Sequence, residues 1–560
     1  MGWKRRVLRS AVDLGYGREL LDLYESVSDA VGHDVNPNVR TMDPDVVDPR
    51  IREFELDDPR GEVLLPITQG GSTNANTYIY GVLAHAFHAR GYRPITVLCD
   101  TDLDLCFRKT PENNDETVCA MCQRSGEDVL DAFGLEPLVL SELVESRAYP
   151  DPWRLDDVEN VTHHGVDVAS FARANTYRFL KKYRIDLNDD YERSVYLRFL
   201  ESALRIAEAA DRIYEEHDID ATVALMSAYI YGGIYLAMAE DRGIESRTFR
   251  KGYIDLTLCI GDTKNEAGNA LYTDGEVVRQ ELSEPLTGTQ AELLDEIMEG
   301  RVSGETARQH QIQGASGTTD RDEEGEFLVG LFPNVPWDAA LDLYHVTFDS
   351  PFEWLEATVD HLGGREEVSM VLKPHPGEIR AVESRWGRVS TWVEEELQPL
   401  PDNVQVLKPE TDVSPYELMA EIDAGIVYMS TVGMEMAYRD VPTVMVGNTH
   451  YRGQGFTFDP DTPEEYTELL DSLADLRMDE SMREAARRYL YLLFVQKHLS
   501  FPYYRTEDVF GRHTQPLPVT HDGVLESEAL EAIVEGIIDG RPVLQSRNRT
   551  EVLRDTVFRL

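Results

Sequence analysis

The feature that most constrains this chain is an alternation, met twice, of short apolar runs, polar loops and helical stretches. "EVLLPIT", from Glu62, is followed by "QGGSTNAN", by the helical "TYIYGVLAHAFHARG" ending on Gly91, and by a second apolar run, "RPITVLCD". A strand, a glycine-containing turn, a helix and a strand form a βαβ unit, an order that calls for a parallel sheet. The pattern continues through "RSVYLRFLESALRIAEAADRIYEEH", "DIDATVALMSA", "YIYGGIYLAMAEDRG" and "IESRTFR" to about residue 260. A second series opens at "FLVGLFPNV" and runs to "PTVMVG", with helices closing it at "TPEEYTELLDSLADL" and "SMREAARRYLYLLFVQKHL". The 560 residues exceed what one core fills, so more than one domain is expected.

The expected fold is therefore α/β, with two Rossmann-like domains facing across a cleft and helical N- and C-terminal extensions. The boundaries are a helical extension over 1–55, a first domain over 56–283, a linker or exposed excursion over 284–325, a second domain over 326–510, and a helix and tail over 511–560. The linker rests on "TARQHQIQGASGTTDRDEEGE", which is polar, rich in Gly, Ser and Thr, and without periodicity. In open α/β sheets ligands sit beyond the C-terminal ends of the strands, so the loops that follow strands are where chemistry is expected.

Charge narrows the partners. The net charge is −49, with 9 Lys against 45 Arg, and the acidic residues are spread along the chain. A hydrophobic content of 42% argues against a disordered acidic chain. Dispersed acidity with little Lys suits a cytoplasmic protein of a salt-loving organism, where molar salt screens self-repulsion over about 3 Å. It also argues against nucleic acid as a partner, since no basic stripe can neutralise phosphates. No apolar run of about 18 residues is present, and no apolar segment follows the basic start "MGWKRRVLRS", so neither a spanning helix nor a secretory signal is expected. Lys4, Arg5, Arg6 and Arg9 beside Trp3, Val7 and Leu8 leave two readings open: a weak peripheral membrane contact, or an amphipathic helix packed on its own protein.

Three loops carry candidate chemistry. In "MVLKPHPGE", His375 follows a buried strand between Pro374 and Pro376, which fix the backbone on both sides of the imidazole. In "YMSTVGMEMAYRD", Ser430 and Thr431 stand at a strand end, ahead of Gly433 and a helix. Hydroxyls and open backbone N–H groups there suit an anion, and Glu435, one turn on, suits the hydroxyls of a ribose or sugar; plain N-capping is the alternative. In "TQGGSTNAN", Gly70 and Gly71 let a ligand approach the backbone and Ser72 offers a donor, as an acceptor or phosphate loop. That loop is neither G-x-x-x-x-G-K-[ST] nor G-x-G-x-x-G.

The second half resembles the capsule and surface polysaccharide biosynthesis proteins, within the GT-B group of nucleotide-sugar glycosyltransferases. The residues that carry the resemblance are "LFPNVPWDA" (331–339), "SPFEWLEATV" (350–359), "LKPHPGE" (372–378), "YMSTVGMEMA" (428–437) and "GNTHYRGQGFTFDP" (447–460). The resemblance implies that His375 and Pro376 contact the donor nucleotide, that Ser430 and Thr431 bind its phosphate and that Glu435 holds its ribose. Lys373 and Gly433, in the same two loops, are further candidates for donor binding. The resemblance also implies a GT-B-like glycosyltransferase acting on a nucleotide-sugar donor and a glycan or lipid-linked acceptor, with no cofactor needed for catalysis. One departure is that related enzymes carry Gly where this chain has Arg439, Asp440 and Val441 ahead of Pro442. Two other readings stand beside the transferase: a nucleotide-sugar epimerase of the same architecture, and a non-catalytic component of a polysaccharide assembly machine.

An acceptor hydroxyl must lose its proton, and Asp100 and Asp102, after a first-domain strand, are candidate bases, as are His163 and His164. Cys99, Cys106, Cys119 and Cys122 give C-x6-C-x12-C-x2-C, which suits a structural Zn²⁺ or, alternatively, an Fe–S cluster; Cys99 also reads as a buried strand residue. Cys259 is expected to be an ordinary buried thiol.

Overall fold

Aliphatic runs that are buried on both faces pair with one another rather than with solvent, and here they do so in two separate sheets. The structure is a computed structural model that describes residues 44–66, 74–100, 102–106, 108–111, 116–144, 152–154, 156–225, 228–262, 271, 275–303, 327–338, 344–380, 386–411, 413–506 and 514–547. The basic patch near the N-terminus and the loop residues Gly70, Gly71 and Ser72 lie outside the described residues.

The first sheet is built from β1 (Gly61–Leu65), β2 (Tyr92–Leu98), β3 (Leu138–Val139), β6 (Ile219–Leu225), β7 (Glu245–Lys251) and β8 (Thr257–Asp262), with a small hairpin of β4 (Thr162–His163) and β5 (Val166–Asp167) outside it. Its order is β3-β2-β1-β6-β7-β8, and a late strand, β14 (Leu499–Ser500), adds antiparallel to β8. Strands β3 to β7 run parallel, so the chain winds outward from β1 in both directions. The second sheet contains β9 (Phe327–Phe332), β10 (Val368–Leu372), β11 (Val404–Val406), β12 (Ala424–Val427) and β13 (Thr443–Met445), in the all-parallel order β11-β10-β9-β12-β13. Its topological switch point falls between β9 and β12, the position at which ligands bind in open α/β sheets.

Local chemistry agrees with this winding. Ser350 caps the Pro351–Leu362 helix by accepting the Glu353 N–H at 3.0 Å, and Ser414 with Glu417 forms a capping box at Pro415–Glu421. Within β9, Gly330 is required by close packing: a Cβ there would lie 2.7 Å from the Phe332 ring and 2.9 Å from Ile422. The departure noted before Pro442 also has a physical explanation. Asp440 adopts the left-handed conformation (φ 69°) that glycine favours, and Arg483 holds its carboxylate at 2.7 and 3.1 Å.

Two boundary expectations need correction. Residues 288–303, read as part of a linker, form the helix Gly288–Ser303, whose Leu293, Leu294, Ile297 and Met298 are buried among residues of second-unit helices such as Met434 and Leu490. The polar sequence that follows it concealed the apolar face. The helix Glu528–Ile538, read as a C-terminal appendage, packs into the first unit, where Ile533, Val534 and Ile537 share a core with Val63, Ala221 and Phe249. Among the described residues, no helix is long and apolar enough to cross a membrane. Because the last helix completes the first core, Ile533→Ala is expected to cost about 2–5 kcal/mol in urea unfolding, the penalty of a buried cavity.

Candidate functional site

Three loops meet at the C-terminal edge of the second sheet. They follow β10, β9 and β12, which are neighbours in that order. The β10 and β12 loops are thus two strand spacings apart, about 10 Å, which is the scale of a nucleotide diphosphate.

The β10 loop presents Lys373 and His375. Lys373 is 4% exposed, and among the described residues its ammonium has no hydrogen-bond or ion-pair partner. Burial lowers its pKa, while the Glu378 charge opposes the shift. The Gly377 N–H donates to His375 Nδ1 at 2.9 Å, so the neutral ring carries its proton on Nε2, as a donor. Behind the loop, Glu378 is fully buried and accepts the Val389 N–H at 3.1 Å and the Ser390 hydroxyl at 3.4 Å. It therefore ties the loop to the start of the helix Val389–Glu396. Burial pushes the Glu378 carboxyl up to about 7, against the pull of those donors.

The β12 loop is arranged partly as expected. Ser430 Oγ accepts the Val432 N–H at 3.3 Å, which is the capping role, and its carbonyl accepts the Tyr451 hydroxyl. Thr431 makes no capping hydrogen bond of its own and is half-exposed. The helix that follows, Val432–Tyr438, has 7 residues, so its dipole adds little at this loop. Gly433 is buried against Tyr451: a Cβ there would sit 2.3 Å from the Tyr451 hydroxyl. In the β9 loop, Asn334 Oδ1 accepts the Met429 N–H at 3.1 Å, which links the β9 and β12 loops directly.

Glu435 is placed otherwise than expected. Its carboxylate is bound by Arg301, with Nε donating at 3.0 Å, and both side chains are at most 3% exposed. The arginine comes from the Gly288–Ser303 helix, which sequence reasoning had left as linker. Glu435 thus faces a core partner instead of a ribose.

The first-unit candidates also have structural partners. Asp100 accepts the Ser141 N–H at 3.1 Å and the Ser141 hydroxyl, and Asp102 forms a buried ion pair with Arg205, whose Nε lies 2.6 Å away. His163 and His164 meet Asp211 on another edge of the first sheet. Among the described residues no three cysteine sulfurs lie within 4.8 Å of one another, although Cys106 and Cys122 both act on the Arg108 guanidinium. Cys119 and Cys122 ride on the helix Glu116–Phe133, while Cys99 and Cys106 pack against the apolar first-unit core. Cys259 is fully buried, and burial pushes its thiol up to about 11.

Sequence reasoning missed Asp338. It lies in the β9 loop, keeps part of its surface open, and is crowded by protein, as a crevice wall is. Burial raises its pKa, against the pull of Arg178. Arg178 belongs to the first unit, where its guanidinium sits 5.3 Å from the Tyr229 ring centre, and Tyr229 begins the helix after β6. An acid just past the first strand of a series was the available signal. Nearby, Tyr183 of the first unit docks on the second: its N–H donates to the Trp386 carbonyl at 2.8 Å and its hydroxyl to the Asp349 carbonyl at 3.2 Å. A cavity of about 580 Å³ opens there, walled by Tyr177, Tyr183, Phe352, Trp386 and Trp392 and rimmed by carboxylates including Glu356.

No family model matches the sequence, and no curated protein matches it. Solved structures give remote likenesses. One is the β-Kdo 2,4-transferase KpsC of Thermosulfurimonas dismutans, at 13% identity over 48% of this chain and 79% of that one, with a TM-score of 0.34. Another is the UDP-GlcNAc 2-epimerase of Methanocaldococcus jannaschii, at 8% identity over 77% and 98% of the two chains, with a TM-score of 0.27. A third is the spinosyn rhamnosyltransferase SpnG, at 11% identity over 77% and 95%, with a TM-score of 0.25.

Two outcomes follow from these partners. Below pH about 4.5 Glu378 is protonated whether folded or not, and as pH rises toward about 7 the unfolded chain ionises first. Stability should therefore fall across that window, by at most about 3 kcal/mol, and Glu378→Gln should flatten the fall in a pH series of urea melts. Asp102→Asn leaves Arg205 buried without its counter-charge, so it should cost about 3–5 kcal/mol of stability. A stable Asp102→Asn variant with abolished turnover would instead restore Asp102 as a base.

Proposed function

We propose that this protein transfers a glycosyl group from a nucleotide-sugar donor to a surface polysaccharide or glycan acceptor. The observation that carries this reading is Lys373: a buried cation with no hydrogen-bond partner among the described residues, at the ligand edge of a parallel sheet. A buried ammonium without a hydrogen-bond acceptor is costly, and an anionic ligand supplies one. In this reading the donor phosphates meet the Lys373 ammonium, His375 Nε2–H and the Ser430 and Thr431 hydroxyls. These donors stabilise the charge that grows on the leaving phosphate.

The acceptor hydroxyl oxygen attacks the anomeric carbon, and the bond from that carbon to the phosphate oxygen breaks. Its electron pair leaves with the nucleotide, and the hydroxyl proton passes to the Asp338 carboxylate. Burial raises the Asp338 pKa and the Arg178 charge pulls it back toward the carboxylate that accepts this proton. Cationic groups and hydroxyls hold the phosphates in this scheme, so no step calls on a metal. The aromatic walls of the 580 Å³ cavity suit the apolar faces of a pyranose, and its carboxylates suit hydroxyls, which favours a saccharide acceptor over acceptor-free epimerisation.

A panel of nucleotides screened for thermal stabilisation tests the reading first, since a ligand at 100 times its Kd adds about 2.7 kcal/mol. Lys373→Met and His375→Ala should remove that stabilisation. Asp338→Asn should keep it while lowering kcat by about 10²–10⁴-fold. Full turnover in His375→Ala, or no response to any nucleotide, overturns the assignment. Conversion of a nucleotide sugar without acceptor would give the epimerase reading instead.

A further inference from the structure

The two histidines offered by the sequence as proton acceptors converge on one carboxylate, away from the candidate site. His163 ends β4, and His164 with Gly165 makes the two-residue turn to β5. Both turn residues have positive φ (47° and 89°), as a tight hairpin turn requires, and this swings the His164 ring beside that of His163, 4.7 Å between centroids. Asp211 reaches them from near the end of the helix Asp190–Glu216. Its Oδ2 meets His163 Nε2 and lies 3.4 Å from His164 Nε2. Among the described residues this is the one set of three potential metal ligands within 4.8 Å of one another.

The other carboxylate oxygen is already occupied. Arg242 donates to Asp211 Oδ1, and the guanidinium is fixed in turn by the Met238 carbonyl at 3.0 Å and by the Tyr214 ring at 5.3 Å. A carboxylate held by one oxygen and aimed by the other is the usual outer-shell arrangement around a metal-bound Asp. His163 and Asp211 are 11% and 15% exposed, whereas His164 is 65% exposed, so an ion has an entry path and room for water. Two imidazoles and one carboxylate are donors that suit Zn²⁺ and its neighbours.

We propose that His163 Nε2, His164 Nε2 and Asp211 Oδ2 bind a divalent transition-metal ion of the Zn²⁺ class, with water completing the coordination. The helix Asp190–Glu216 leads into the start of β6, and Arg242 precedes the start of β7. The ion therefore sits at the N-terminal edge of the first sheet, opposite the ligand edge, and staples the hairpin to the helix. It lies apart from the loops that follow β9, β10 and β12.

The test uses full-length protein stripped with chelator and titrated with Zn²⁺ alone by calorimetry. About one ion per chain is expected, with a rise in Tm. His164→Asn, whose Asn tolerates the left-handed turn, should weaken binding at least about tenfold and lose the Tm rise. Arg242→Gln should weaken it about 10–100-fold by releasing the carboxylate. Co²⁺ in place of Zn²⁺ should give visible d–d absorption without a thiolate charge-transfer band. Unchanged Zn²⁺ binding in His164→Asn, a thiolate band abolished by Cys106→Ser/Cys122→Ser, or no Zn²⁺ bound by the wild type would each overturn the site.

Discussion

Arg301 is the point on which the two halves of this molecule depend. Its guanidinium binds the Glu435 carboxylate and lies 4.7 Å from the Phe494 ring centre and 5.4 Å from that of Tyr253. Four stretches of chain thus converge on one buried cation: the end of the helix entering the second unit, the helix after β12, the bend that leads back to the first unit, and the β7–β8 turn. Tyr253 is fixed further, since its N–H donates to His498 Nε2 at 2.9 Å and His498 Nδ1 pairs with the Leu493 carbonyl. A buried ion pair contributes little net stability, but removing one partner leaves a costly charge, so such a pair enforces one arrangement over others.

The same economy of charge runs through the interior. Of the 9 lysines in the sequence, Lys109, Lys373 and Lys497 are buried. Lys109 and Lys497 donate to backbone carbonyls, of Asp104 at 2.8 Å and of Ile260 at 3.0 Å, and burial lowers Lys497 to about 8. Lys373 has no such acceptor among the described residues, and the Glu378 charge is what opposes the lowering of its pKa by burial. A chain that uses Lys so sparingly on its surface makes each interior ammonium informative.

The candidate site was half legible beforehand. "LKPHPGE" and "YMSTVG" announce themselves because prolines, a histidine and hydroxyls interrupt apolar runs where a parallel sheet delivers its strand ends. Glu435 could not be judged that way, because its partner comes from more than a hundred residues upstream, out of a stretch whose apolar face is narrow. Asp338 was obscured for a related reason: in a chain with 103 acidic residues one more aspartate carries no signal, and only its crowding by the first unit sets it apart. Asp100 and Asp102 were conspicuous after a strand, yet helix capping and a buried arginine account for both.

What the sequence determined by itself was the class of fold and the strand ends at which its loops emerge. Hydrophobic periodicity is local, and β-runs alternating with helices leave a parallel sheet as the consistent solution. The tertiary structure decided which side chains are open and which are engaged. It turned Glu435, Asp102 and Asp100 inward to partners, left the Lys373 ammonium without a hydrogen-bond acceptor among the described residues, and brought Asp338 opposite Arg178. It also returned the last helix to the first core and gathered His163, His164 and Asp211. Each of these outcomes depends on where a distant segment of chain arrives, and burial and pairing across such separations leave no trace in the spacing of residues along one strand or helix.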